Sequence, residues 1–215
     1  MYTVLRATSR TLADYLTLGF VADAQLKSLF DASLGGTMSV SLNTPEEMSE
    51  ANMQGLSLWL YQVVRDDQRL NAPPQRIDPH RVRPTPLPVR LRYLVTPVVA
   101  IDARHGDVSP EQEQAMLGKA MQLFYDRSIL RGADLRDDLT GTSAEINLRL
   151  EALSLDEVSR VWMALKRSYE LSVSYEVSVA SIYRDREPEV LLPVRVAAPE
   201  YATVVGVTGD DEESV

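Results

Sequence analysis

The sequence contains no cysteine, which removes disulfides, thiolate metal sites and cysteine nucleophiles together. That suits a cytosolic protein, or a robust particle component whose stability never depends on redox state. No apolar run approaches the length that spans a bilayer, and the opening residues 1–16 are broken by charges instead of forming a secretory apolar core. Neither G-x-S-x-G nor G-x-G-x-x-G occurs. Gly118-Lys119 lacks the earlier glycine and the following Ser or Thr of a phosphate loop, because Glu113 and Ala120 hold those places, so it reads as helix interior. Basic residues are outnumbered 22 to 31, and the net charge of −9 argues against binding a phosphate backbone.

The few cations are unevenly placed. Residues 65–92 hold Arg65, Arg69, Arg76, Arg81, Arg83, Arg90 and Arg92 against Asp66, Asp67 and Asp78, whereas Gly209–Val215 carries four acids and no base. A basic arm therefore sits in an acidic protein. The connection Arg65–Pro86 is long and contains five prolines, which stiffen a chain and disfavour ladder pairing. It reads either as a flexible surface loop or as an element that docks on an acidic neighbour through Arg–carboxylate contacts.

Along the chain, apolar spacing predicts a helix over Thr11–Ser33 stopped by Gly35-Gly36, a short strand around Val40, and a polar loop over Asn43–Asn52. Leu56–Val64 is apolar on both faces and reads as a central strand, and Leu87–Val95 alternates with Arg90 and Arg92 on the outer face. Ser109-Pro110 opens a helix whose stripe is Met116, Leu117, Ala120, Met121 and Phe124. Glu145–Glu151 reads as a strand, and Ser154–Glu157 is a capping box before a helix through Val158, Val161, Trp162 and Leu165. In Tyr169–Val179 every odd residue is apolar and every even one is Ser or Glu, so one face is buried and Ser172, Ser174 and Ser178 mark a face suited to a neighbouring protein. A slip at Ala180-Ser181 suggests a bulge, and Val190–Val196 an edge strand holding Pro193. This order predicts an α+β (mixed α/β) single domain, with a mixed β-sheet and helices packed mainly on one face.

Candidate chemistry is thin. Asp102, His105 and Asp107 could bind a divalent metal for hydrolysis, but read better as a polar loop before a helix cap. His80, the other histidine, reads as a solvated residue of the arm. Asp66-Asp67 and Asp137-Asp138 do not converge if on strands and read as turn or helix-start residues. Trp59 and Trp162 lie within apolar patterns and read as core.

Four blocks in order carry a resemblance: L-S-L-W-L-Y-Q-V-V-R-D-D-Q-R-L-N (Leu56–Asn71), P-L-P-V-R-L-R-Y-L-V-T (Pro86–Thr96), M-L-G-K-A-M-Q-L-F-Y-D (Met116–Asp126), and the late L-S-L-D-E-V-S-R-V-W…Y-E-L-S-V-S-Y-E-V-S-V. Together they resemble the tail-terminator, or cap, proteins of contractile injection systems of the antifeeding-prophage type, from about Val4 to Val196. The resemblance implies a structural, non-enzymatic role: a homohexameric ring that binds the distal end of inner tube and sheath proteins and stops polymerisation. No catalytic residue, metal, cofactor, nucleic acid or membrane partner is implied. A baseplate or neck adaptor of the same particle is the rival structural reading. The expected organisation is one domain over residues 4–198 with the Pro/Arg-rich arm at 65–86, then a flexible acidic tail at 199–215. Assembly is expected in the cytoplasm, in a phage tail-like particle that is then kept or released.

Overall fold

The computed structural model describes residues 2–69, 73, 75–78, 80–83, 87–99, 108–178 and 189–190. Strands β1 (Ser39–Ser41), β2 (Gly55–Arg65), β5 (Val89–Val98), β6 (Ile129–Arg131), β7 (Glu145–Leu150) and β8 (Val173–Ser178) form one sheet in the order β1-β2-β5-β8-β7-β6. β1 runs parallel to β2 and the other pairs are antiparallel, which is the expected mixed sheet of an α+β fold. β2 and β5 are the long members, because their alternating or doubly apolar runs have a partner on each side. Gly55 opens β2 with φ 133° and lies so close to β1 that a Cβ there would stand 2.0 Å from the Ser39 carbonyl oxygen. Only glycine fits.

Two long helices, α1 (Val4–Ala22) and α4 (Val108–Asp126), cover one face. Leu12, Leu16 and Phe20 of α1 and Met116, Ala120 and Phe124 of α4 close the main core over Leu58, Leu91, Tyr93, Ile146 and Val177. Phe124 meets Tyr175 edge-on at 4.9 Å between ring centroids. α1 also buries hydroxyls, and each finds a partner: Thr8 donates to the Val4 carbonyl at 2.8 Å, Thr11 to Ala7 at 2.8 Å, and Ser9 lies 2.8 Å from the Tyr93 phenol. Burial pushes that phenol well above its ordinary pKa.

The amphipathic helix α5 (Leu155–Ala164) lies on the opposite face, where Val158 and Trp162 pack on Leu94 with Trp59 and Tyr61 around them. Its start is the predicted capping box: the Ser154 hydroxyl accepts from the Glu157 N–H at 3.3 Å, and the Glu157 carboxylate accepts from the Ser154 N–H at 2.8 Å. Ser154→Ala is expected to lower stability by about 1 kcal/mol in a urea titration. An unchanged midpoint would mean that α5 is held by packing alone.

Several boundaries depart from the sequence pattern. The first helix begins at Val4 and ends at Ala22, because Asp23 Oδ1 takes the Gln25 and Leu26 N–H groups at 2.9 and 3.1 Å and turns the chain into the separate helix α2 (Lys27–Phe30). The loop expected over Asn43–Asn52 contains α3 (Pro45–Glu50), with Thr44 as cap, Pro45 in the first turn and Glu47 closing a capping box. α4 starts at Val108, which places Ser109 inside the first turn. The arm is not unpaired: β3 (Gln75–Asp78) and β4 (Arg81–Arg83) form a hairpin, and β4 also pairs with β9 (Glu189–Val190). None of the arm's five prolines falls within β3 or β4, where a ladder N–H is needed. The Ala180 bulge, residues 191–196 of the last strand and the tail at 199–215 lie outside the described residues.

Candidate functional site

The even residues of β5 and β8 share the sheet face on which α5 lies, and beyond α5 they are charged. Register does the rest. β2 carries an irregularity between Leu60 and Gln62, after which Gln62 stands opposite Arg92, while Arg92 stands opposite Glu176 on the other side. The result is a ladder of alternating charge on β5 and β8 that extends to residues just past β2 and β7. Asp66, just past β2, accepts from Arg90 at 2.8 Å, and Arg90 reaches Glu176 at 3.3 Å. Arg92 lies 3.9 Å from Glu176, 3.1 Å from Glu151, and donates to Gln62 at 3.1 Å. Its Nε is out of line for a hydrogen bond to Glu151, so that contact is an ion pair alone. Ser174 donates to Glu151 at 2.5 Å and lies 2.9 Å from the Tyr61 phenol.

Counting Arg69, 3.6 Å from Asp66, three cations (Arg69, Arg90, Arg92) balance three carboxylates (Asp66, Glu151, Glu176). Asp66 is only 3% exposed. The hydrogen bond from Arg90 holds its carboxyl below the usual carboxylate range, and Asp66 in turn raises Arg90. Burial raises the Tyr61 phenol, partly offset by Ser174. Asp66 also ties the base of the arm: its N–H donates to the Pro88 carbonyl at 3.0 Å, closing the segment between β2 and β5.

These contacts redistribute the predicted interface residues. Arg90 and Arg92 are neutralised within the chain. Ser172 and Ser174 are 8% and 3% exposed, because α5 and Glu151 cover them, and Ser172 accepts from the Trp162 indole N–H at 3.0 Å. Strand β8 begins only at Val173 and runs between β5 and β7, leaving β1 and β6 as the edges of the main sheet. Arg65, Arg69 and Arg81 point outward, held loosely by Asp67, Asp66 and Asp78. Arg76 is exposed, Ser178 is half-buried, and the Arg83 side chain lies outside the described residues. Sequence pattern assigns Asp66 only a turn role and does not single out Glu151 or Glu176. The signal for Glu176 was present, in an acid on the even parity of a strand whose neighbour carries arginines on its even parity.

Asp102, His105 and Asp107 also lie outside the described residues. Among the described residues, no group of three or more His, Asp or Glu could hold a metal ion, and no helix is long and apolar enough to cross a membrane. The paired aspartates have the expected turn roles, with Asp67 and Asp137 each opening a short 3-10 turn. Lys119 is helical and pairs with Asp23 at 3.0 Å. Trp162 is core, as its pattern predicts, and Trp59 packs beside it.

On one face of this mixed sheet the charged side chains pair with one another, as in a structural scaffold. The chain belongs to the Pvc16 N-terminal domain family, whose model matches residues 7–196. Among solved structures it is similar to the sheath/tube terminator of PVC, an extracellular contractile injection system, in the extended state (14% identity, TM-score 0.57, 94% of this chain and 65% of that one). It is likewise similar to the tube terminating cap of the anti-feeding prophage (16% identity, TM-score 0.57, 94% of this chain and 61% of that one). The chain thus spans less than two thirds of either chain's length. No curated protein matches.

Proposed function

We propose that this chain is a structural tail terminator of a contractile injection system, which caps the end of the inner tube and sheath and halts their polymerisation. The match of the Pvc16 N-terminal domain over residues 7–196 carries this reading, and the terminator fold over 94% of the chain supports it. The role is assembly, not catalysis. The subunits form a homohexameric ring, and the ring belongs to a phage tail-like particle assembled in the cytoplasm. The organisation that goes with it is one domain over residues 4–198, followed by the acidic segment 199–215.

In this reading the charge ladder keeps the sheet rigid and aims the arm, and the outward Arg65, Arg69, Arg76 and Arg81, with Ser178 at the end of β8, meet acidic tube or sheath surfaces. Partners of opposite charge favour correct register more than raw affinity. Removing the chain from an assembling system is expected to yield tubes of uncontrolled length and sheaths that contract or disassemble early. Electron microscopy of particles carrying a tagged chain adds the position of the label. Normal particles without the chain, or a label at the baseplate end, would overturn the terminator reading.

A further inference from the structure

Among the described residues, each face of the main sheet carries an apolar surface open to solvent, and the two differ in shape. On the face of α1 and α4, a groove of about 420 Å³ runs between α4 and the β7–β8 pair, lined by Met121, Tyr125, Leu148, Leu150 and Tyr175. Gly118 forms part of its wall, and a Cβ built there meets nothing within 4 Å, so the groove is open for want of a side chain. Tyr125 at the rim is 87% exposed. On the opposite face, α5 turns Val158 and Trp162 to the sheet and leaves Leu155 and Met163 outward, Met163 being 72% exposed. With Ser159 between them at spacing four, they form one convex stripe along the helix.

Beside the stripe Asp156 and Arg160 neutralise one another at 2.8 Å, and beside the groove Arg127 is paired with Asp134 at 2.7 Å, which leaves charges of opposite sign at the two surfaces. Asp126 is exposed beside Tyr125, and Lys166 is exposed just beyond Met163. Neither has an ion-pair partner among the described residues. Groove against groove would set Asp126 against Asp126, and stripe against stripe Lys166 against Lys166. Only groove against stripe pairs concave with convex and acid with base.

We infer that the α5 stripe of one subunit seats in the α4–β7 groove of a second copy, with Lys166 facing Asp126. The two patches are different and lie on opposite faces of one sheet, so the contact is head-to-tail and repeats until the ring closes. This rests on the ring reading above and names its subunit contact.

Two variants test it in the 215-residue chain. Gly118→Leu puts a side chain into the groove at a helical position where a Cβ meets nothing within 4 Å, and leucine is the better helix former. Met163→Glu charges the stripe at an exposed site. Each alone is expected to weaken self-association by roughly 30-fold or more, read by sedimentation velocity, with the far-UV circular dichroism spectrum unchanged. Mixed in equal amounts, the two should recover a heterodimer and nothing larger, because one intact groove meets one intact stripe. Variants that form rings as the parent does would overturn the contact and leave the ring reading standing. Two monomeric variants that give no dimer on mixing would also overturn it. A parent chain that is monomeric at every concentration would overturn contact and ring together.

Discussion

Trp162→Ala is expected to lower the folding free energy by about 3–5 kcal/mol, the range for emptying a large aromatic site in a packed core. For a chain of this size that corresponds to a fall in melting temperature of roughly 6–20 °C. Trp162 is 1% exposed and is the largest side chain between α5 and the sheet. Around it stand Leu94, Val158, Trp59 and Tyr61, with the Tyr169 ring edge-on at 6.5 Å. α5 is short and spans one small cluster, so neighbouring helices cannot collapse into the space. The Ser172 hydroxyl loses its indole donor as well, although it still donates to the Glu170 carbonyl at 3.1 Å. Trp162→Phe keeps much of the volume and loses the N–H together with part of the ring, so about 1–2 kcal/mol is expected. A urea titration followed by circular dichroism reads both. A loss below about 1 kcal/mol for the alanine variant would mean that α5 does not rest on this residue.

The second large effect is expected from Arg90→Ala, also about 3–5 kcal/mol, because it strands a carboxylate in the protein interior. Asp66 would keep Arg69 at 3.6 Å and the Gln68 N–H at 3.2 Å, and Glu176 would keep Arg92 at 3.9 Å as its ion-pair partner. Asp66→Asn removes the charge and retains the shape, so it is expected to be milder. The pair also sets an acid limb. Since Asp66 has a lower pKa folded than unfolded, it binds its proton more readily in the unfolded chain. Its stabilising contribution is fully present above the ordinary carboxylate pKa of about 3.9 and is lost as pH falls through the lower folded value. Asp66→Asn should therefore flatten stability against pH below about 4 and leave the slope near neutrality unaltered. An acid limb as steep in the variant as in the parent would show that other carboxylates, Asp23 and Glu157 among them, carry it.

How much of this was legible beforehand depended on whether the signal was local. The Ser154 cap, the α4 stripe and the alternation of β5 each lie within one element, and period alone places their apolar residues inward. α3 has an equally local signature in Thr44-Pro45-Glu46-Glu47, yet with Met48 and Pro45 as its only buried residues it shows no apolar stripe and passes for a loop. The break at Asp23 is a side-chain turn inside a continuous apolar pattern. Periodicity has no means of showing it.

The strand Tyr169–Val179 draws the line most clearly. Its alternation determined by itself that Val173, Tyr175 and Val177 would face the core, since successive side chains on a strand point oppositely. It also determined that Ser172, Ser174 and Glu176 share the other face. Whether that face meets water, a partner or the chain itself was decided only in three dimensions. α5 folds back over Ser172, and β7 ends where Glu151 reaches Ser174 and Arg92. β5 then stands beside β8 in a register that sets Arg92 opposite Glu176. A single strand specifies the parity of its side chains. What covers each parity, and which charges meet there, is a property of neighbours far away in sequence.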